Sequence, residues 1–299
     1  MSLDDARAVA DAVLFEGYLL YPYRASALKN RMRWQFGVLA PHGEESEPSF
    51  ARTECLLVAQ PGAELEVLVR CLQLRTRKAE PDWDEGGLRE IVATVKLDRH
   101  DVAADIPFEL PGGENERERW LPLRGTIGIR TTSIGGGLQR LAVVVENQTQ
   151  RNPRSHATRE GMLRSSLVSA HTVLAVRGGH FISLLDPPEG VREAAQACRN
   201  EHTWPVLVGE QGRRDVVLSA PIILYDYPAI APQSPGDLFD ATEIDEILML
   251  RTMTLTDDEK REARETDPKA AEIIDRAERL SAEQLSRLHG TMRYPDGHR

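Results

Sequence analysis

The hydrophobic and polar positions divide the chain into a strand-like body and a helical end. Apolar and β-branched runs bounded by Gly, Pro and Asn clusters read as strands. They predict strands at 53–58 and 64–77, with 88–97 as a return strand. The clearest hairpin falls within 121–149. Ile127 and Ile129 alternate on one strand, Leu141, Val143 and Val145 on the other, and Gly135-Gly136-Gly137 supplies the turn. A second hairpin is expected over 169–185 around the dipeptide Gly178-Gly179, with further strands at 204–208, 215–218 and 222–225. Charges, two prolines and two glycines make 105–119 an expected exposed loop. Helices are expected at 4–15, where Val9, Ala10, Val13 and Leu14 form one side, at 158–167, and at 189–199, opened by Asp186-Pro187-Pro188.

Beyond residue 230 the pattern changes. A proline-punctuated acidic loop leads into separately capped helices, and 216–288 reads as the segment the body carries. Thr242 precedes Glu243 with Asp245 next but one, which suits a capped, acid-rich helix start. Thr256 with Glu259 and Ser281 with Gln284 form capping boxes, and Asp267-Pro268 marks another start. The expected fold is α+β. A mainly antiparallel, sandwich-like β-rich domain spans 1–151, a smaller α+β region 152–232, and the acidic loop with capped helices 233–299.

Composition narrows the function classes. With 299 residues, 41% hydrophobic and 28% charged, the chain can bury one large core or two smaller ones. No apolar run is long enough to span a membrane. The start MSLDDARAVADAV lacks a basic region followed by an apolar one, so no secretory signal is expected. A net charge of −10 and a pI near 5.4 argue against general nucleic-acid binding. Three scattered cysteines, Cys55, Cys71 and Cys198, suit reduced thiols in a cytoplasm.

Two stretches have strong local character. Residues 17–38 interleave Tyr21, Tyr23 and Trp34 with Arg24, Lys29, Arg31 and Arg33. Such a surface either grips an anion or buries its rings and pairs its cations. Between Asp237 and Arg287, fifteen acidic residues stand against eight basic ones, a net of −7. Asp237, Asp240, Glu243, Asp245 and Glu246 are read as a solvated face, a docking surface for a basic partner, or a cation site lacking the glycine of a calcium loop.

Catalytic signatures are scarce. There is no G-x-S-x-G elbow, no phosphate loop with its lysine and no H-E-x-x-H. His171, His180, Asp186 and Asp226 are the residues from which a hydrolase or small-molecule site between the two halves could be built. Cys198 and His202, four apart, would share a face of one continuous helix and make a metal pair. No cofactor is expected.

The segment GYLLYPYRASALKNRMRWQFG, and APIILYDYP followed by SPGDLFDATEIDEILMLRTMTLTDDEKREAR, resemble a family of bacterial proteins associated with accessory genes of actinobacterial-type nickel–iron hydrogenases. The second block begins Ala220-Pro221 where the family pattern has Ser-Pro. The resemblance covers two blocks, about a quarter of the chain, and transfers no catalytic residue. It implies a part in assembling or maturing a metalloenzyme. The reading that emerges is a non-catalytic accessory protein working through a protein partner, with the small-molecule enzyme as the alternative.

Overall fold

The computed structural model describes residues 36–78, 82–97, 101–151 and 158–228, with Arg7, Val9, Ala10, Asp11, Lys260, Arg261 and Arg264. The chain divides into two compact units, and the last three of these residues belong to the second. The expected helices after residue 241 and the acidic loop before them lie almost wholly outside the described residues.

The first unit is mainly antiparallel β-sheet built on one strand, β1 (Phe50–Arg77), 28 residues long. The two short strands expected here, 53–58 and 64–77, are one. Residues 56–58 pair with both β7 (Leu138–Asn147) and β8 (Val168–Ile182), and residues 64–72 pair with both β8 and β2 (Trp83–Leu97). A strand has two edges, so one edge of β1 carries β7 and then β2, while the other carries β8. The hairpin partner of β7 is β6 (Leu123–Gly135), and β3 (Ala103–Leu110) lies beyond it. The short β4 (Gly113–Glu114) and β5 (Glu118–Trp120) close a small turn against the end of β1. On the other side come β10 (Val216–Ala220) and then β9 (Trp204–Leu207), giving the order β3-β6-β7-β1-β8-β10-β9.

The expected hairpin at Gly178-Gly179 is instead the middle of the continuous strand β8. Gly179 stands opposite Ala59 and Arg177 opposite Glu64, so one residue of β8 faces residues 60–63 of β1. The glycine and proline chemistry that looked like two turns builds one bulge, with Gly62 and Gly178 both at positive φ. The exposed loop expected at 105–119 is also corrected, because its first part is β3. Pro107 sits in an edge strand whose Asp105 and Glu109 point to solvent and pair with Arg130 and Arg124 of β6, where a missing N–H and exposed charges are tolerated. The 121–149 hairpin forms as expected, with Gly135, Gly136 and Gly137 all at positive φ. Residues 222–225 form no strand, and of the helix expected at 189–199 only a 3₁₀ turn and α2 (Arg192–Gln196) appear. The earlier helix α1 (Arg159–Leu163) starts where expected. The Thr158 hydroxyl caps it by accepting from the Gly161 N–H at 3.2 Å.

One core joins both sides of the expected boundary at 151/152. Cys55, Leu57, Leu65, Val67 and Val69 of β1 pack with Ile127, Ile129, Leu141 and Val143 of the β6–β7 hairpin. Leu174 and Phe181 of β8 and Val217 of β10 complete the same cluster. The opposite face of β1 is covered too. Leu68 packs with Val173, Val216, Leu218 and Ala10, while Leu56 packs with Ile182 and Ala195. Burial on both faces explains why β1 reads as a nearly continuous apolar run rather than an alternation. Ala10 carries the N-terminal helical turn, which Asp11 fixes by an ion pair to Arg70, a side chain only 3% exposed that also binds Glu90 at 2.8 Å. Asn147, which begins an Asn-x-Thr triplet, is fully buried and donates to the Leu39 and Ser165 carbonyls.

A methyl group on Gly179 would meet the Val58 carbonyl oxygen at 2.6 Å, a backbone atom that cannot step aside. Gly179→Ala is therefore expected to destabilise the fold by about 2 kcal/mol. Gly190→Ala, which meets nothing within 4 Å, is expected to be close to neutral. Urea or thermal denaturation of the two variants measures both.

Candidate functional site

Of the residues expected to form a catalytic constellation, the two histidines lie apart on β8, while Asp186 and Asp226 both bond Ser183. His171 and His180 are nine positions apart on β8, about 30 Å at the usual strand rise. His171 is 2% exposed, faces Arg70 across the β1–β8 ladder, and donates from Nδ1 to the Ser169 carbonyl at 3.0 Å. Its Nε2 is buried without a partner, and burial lowers the imidazole to a pKa of about 4 despite the Ser169 hydrogen bond. Burial, with Arg214 nearby, also lowers His180. Asp186 is exposed in the turn after β8, where its N–H donates to Ser183 Oγ at 2.9 Å.

Asp226 has a structural role. Its carboxylate accepts from Ser183 Oγ through one oxygen and from the Leu207 N–H at 2.8 Å through the other, tying the loop after β10 to β8 and β9. Among the described residues no imidazole bonds Ser183, so there Ser183 and Asp226 do not extend to a triad. His171 does not share this cluster, since on β8 it stands opposite Arg70, nine positions before His180.

Cys198 and His202 do not share a helix, because α2 ends at Gln196. The Cys198 thiol donates weakly to the Ala194 carbonyl, and burial pushes it up to about 11 against the lowering effect of Arg140. Cys55 is pushed higher still by complete burial. Thiols held protonated in this way are poor nucleophiles at neutral pH. His202 adopts φ +63 and sets its ring edge-on to Phe50, centroids 5.6 Å apart. Among the described residues no three His, Cys, Asp or Glu side chains gather as a ligand set.

The expected aromatic and basic surface of Tyr21, Tyr23, Arg24, Lys29, Arg31 and Arg33 lies outside the described residues. So do Asp237, Asp240, Glu243, Asp245 and Glu246.

What the structure does assemble is a charged groove on the outer face of β1, β7 and β6. Strand alternation turns Arg52, Glu54 and Leu56 of β1 outward, and the register sets Arg140 of β7 beside Leu56 and Val144 beside Arg52. A cavity of about 640 Å³ lies between this face and the segment after α2, lined by Arg52, Glu54, Arg140, Arg199 and Glu201 with Gln196 and Ala197. A smaller hollow of about 270 Å³ lies on the other part of this face over Gly128 and Val144, walled by Arg52, Arg130, Asp105 and Glu146. Arg52 lines both and stands between them on one continuous outer face. From Arg140 to Glu146 this face runs about 20 Å, six strand residues.

Residues 199–201 are fastened to the start of β1. Arg52 and Glu201 exchange backbone hydrogen bonds at 3.0 Å, the Arg199 N–H donates to Glu54, and the Glu54 N–H donates to Asn200. Sequence reasoning missed Arg52, Glu54, Arg140, Arg199 and Glu201. They come from three separated segments, and only strand register brings them together. The loop after β10 adds another feature, since Ile223 and Tyr225 are 77% and 86% exposed. Neither a protein-family model nor a curated protein matches this chain.

His171 gives the unit a dependence on pH. Its folded pKa lies near 4 against 6.5 for a free imidazole. Between those values the unfolded chain binds a proton that the folded chain does not. Stability is therefore fully present above pH 6.5 and falls on acidification towards pH 4, by on the order of 3 kcal/mol. Urea midpoints measured from pH 7.5 to 4.5 are expected to show this slope, and His171→Gln to flatten it.

Proposed function

We propose that the protein is a non-catalytic accessory protein that docks a segment of a partner in the groove on the outer face of β1, β7 and β6. The observation that supports this is the groove's lining, an open array of arginine and glutamate side chains over Gly128 and Val144. Substrate pockets are enclosed and largely apolar, with a few converging polar groups. This groove is open, extended and charged along its walls, which suits an extended polypeptide carrying charges of its own. Ile223 and Tyr225, exposed in the loop after β10, support a protein partner as well, because large side chains with apolar surface left in water favour protein contact.

The resemblance to proteins of nickel–iron hydrogenase gene clusters makes a metalloenzyme under assembly the first partner to look for. The described acid–base candidates add nothing to the enzymatic alternative, since Asp226 and Ser183 hold loops and His171 is sealed in the sheet.

Val144→Trp fills the groove floor without changing charge. Affinity purification under mild conditions, with mass spectrometry of the eluate, is expected to recover a partner with the unaltered protein and to lose it with this variant while the melting temperature stays within a few degrees. Identical partner sets for both proteins would remove the groove from the reading.

A further inference from the structure

The charges of the groove do not cancel evenly. Both glutamates are drawn to Arg52, Glu54 at 3.7 Å and Glu201 at 3.5 Å, and Glu54 also accepts the Arg199 N–H. That leaves two cations on the same lining, Arg140 and Arg199, and neither forms an ion pair among the described residues. Arg140 is the more constrained of the two. It emerges from β7 beside Leu56, which α2 covers with Ala195; its guanidinium hydrogen-bonds the Cys198 thiol, and its Nε is buried without a partner. A guanidinium over an apolar floor is poorly hydrated, so an anion reaching it meets less competition from water. The backbone at Arg199 is held by the ties of residues 199–201 to β1, so only its side chain has to be organised on binding.

We propose that Arg140 and Arg199 form an anion subsite that takes carboxylates of an acidic peptide segment on the docked partner. This rests on the docking reading above and specifies the chemistry of its ligand. Two cations brought to one cavity from different walls, Arg140 from β7 and Arg199 from the segment after α2, suit successive acidic side chains of a strand-like peptide better than one isolated small anion. The chain as a whole carries −10 and repels an acidic peptide over long range, so any such binding reports these local cations rather than bulk charge.

The test is fluorescence anisotropy of a labelled, blocked hexaglutamate peptide with the full-length chain at low salt. Saturable binding is expected, weakened roughly tenfold by Arg140→Gln and by Arg199→Gln, and partly restored in Arg140→Lys. Arg177→Gln removes a cation that is 83% exposed on β8 and outside the groove, and is expected to change nothing. No binding to the unaltered protein, or equal losses in the Arg177 and Arg140 variants, would overturn the subsite. Displacement of the peptide by inorganic phosphate at lower concentration than by free glutamate would overturn the carboxylate assignment.

The two readings fail separately. If Val144→Trp loses its partner while hexaglutamate never binds, docking stands and the carboxylate subsite falls. If hexaglutamate binds through both arginines and Val144→Trp keeps every partner, the subsite stands and docking in this groove falls.

Discussion

The double pairing of β1 is the constraint on which the rest of the described structure depends. Over 64–72 the strand is hydrogen-bonded along both edges, and residues 67–74 are buried without a break. A chain segment sealed on both edges and both faces has no room for a polar side chain unless a partner comes with it. Arg70 and Gln73 are the exceptions: Arg70 imports two carboxylates, Asp11 and Glu90, and Gln73 donates to the Leu121 carbonyl and accepts from Arg89. The buried carboxylate-bound arginine is costly to desolvate, and it ties the N-terminal turn and β2 to the middle of the sheet. The bulge at 60–63 is equally necessary. It lies between the β7-paired and β2-paired stretches on one edge of β1, and it lets one strand serve two parts of the sheet.

The groove is the outward consequence of the same strand. Cys55 and Leu57, and beyond the bulge the odd-numbered residues from Ala63 to Cys71, enter the shared core, so Arg52, Glu54 and Leu56 must face the other way. There the antiparallel register with β7 fixes what stands beside them, and the bridge between Arg52 and Glu201 sets the third wall. Core and groove therefore share one specification. A slip of one residue in β1 would turn Arg52 and Glu54 inward and destroy both together.

Much of the sheet was legible in the sequence, for reasons that differ by element. The β6–β7 hairpin announced itself because one face is apolar, the other is wet, and a glycine turn separates the two runs. Thr158 likewise marked α1. The strand β3 was hidden because an edge strand carries the proline and exposed charges that usually signal a loop. The extent of β1 and β8 was hidden by a sharper ambiguity. Pro61-Gly62 and Gly178-Gly179 are turn chemistry, and only their position opposite each other across a ladder makes them a bulge. The candidate site was less legible. Cys198, His202, His171 and Asp226 attract notice as residue types, yet they have local structural roles. Arg140 and Arg199 are ordinary surface residues by type, and their significance comes from a register that composition and periodicity do not fix.

Amide hydrogen exchange resolved by residue tests most directly whether β1 organises a single cooperative unit. The N–H groups of residues 67–72 in β1, 141–145 in β7 and 172–176 in β8 are predicted to exchange with one common free energy, that of global unfolding. The contrary result would be β8 and β10 exchanging together at a free energy well below that of β6 and β7. That would mean two cores on either side of residue 152, with β1 as a link between them rather than their shared centre.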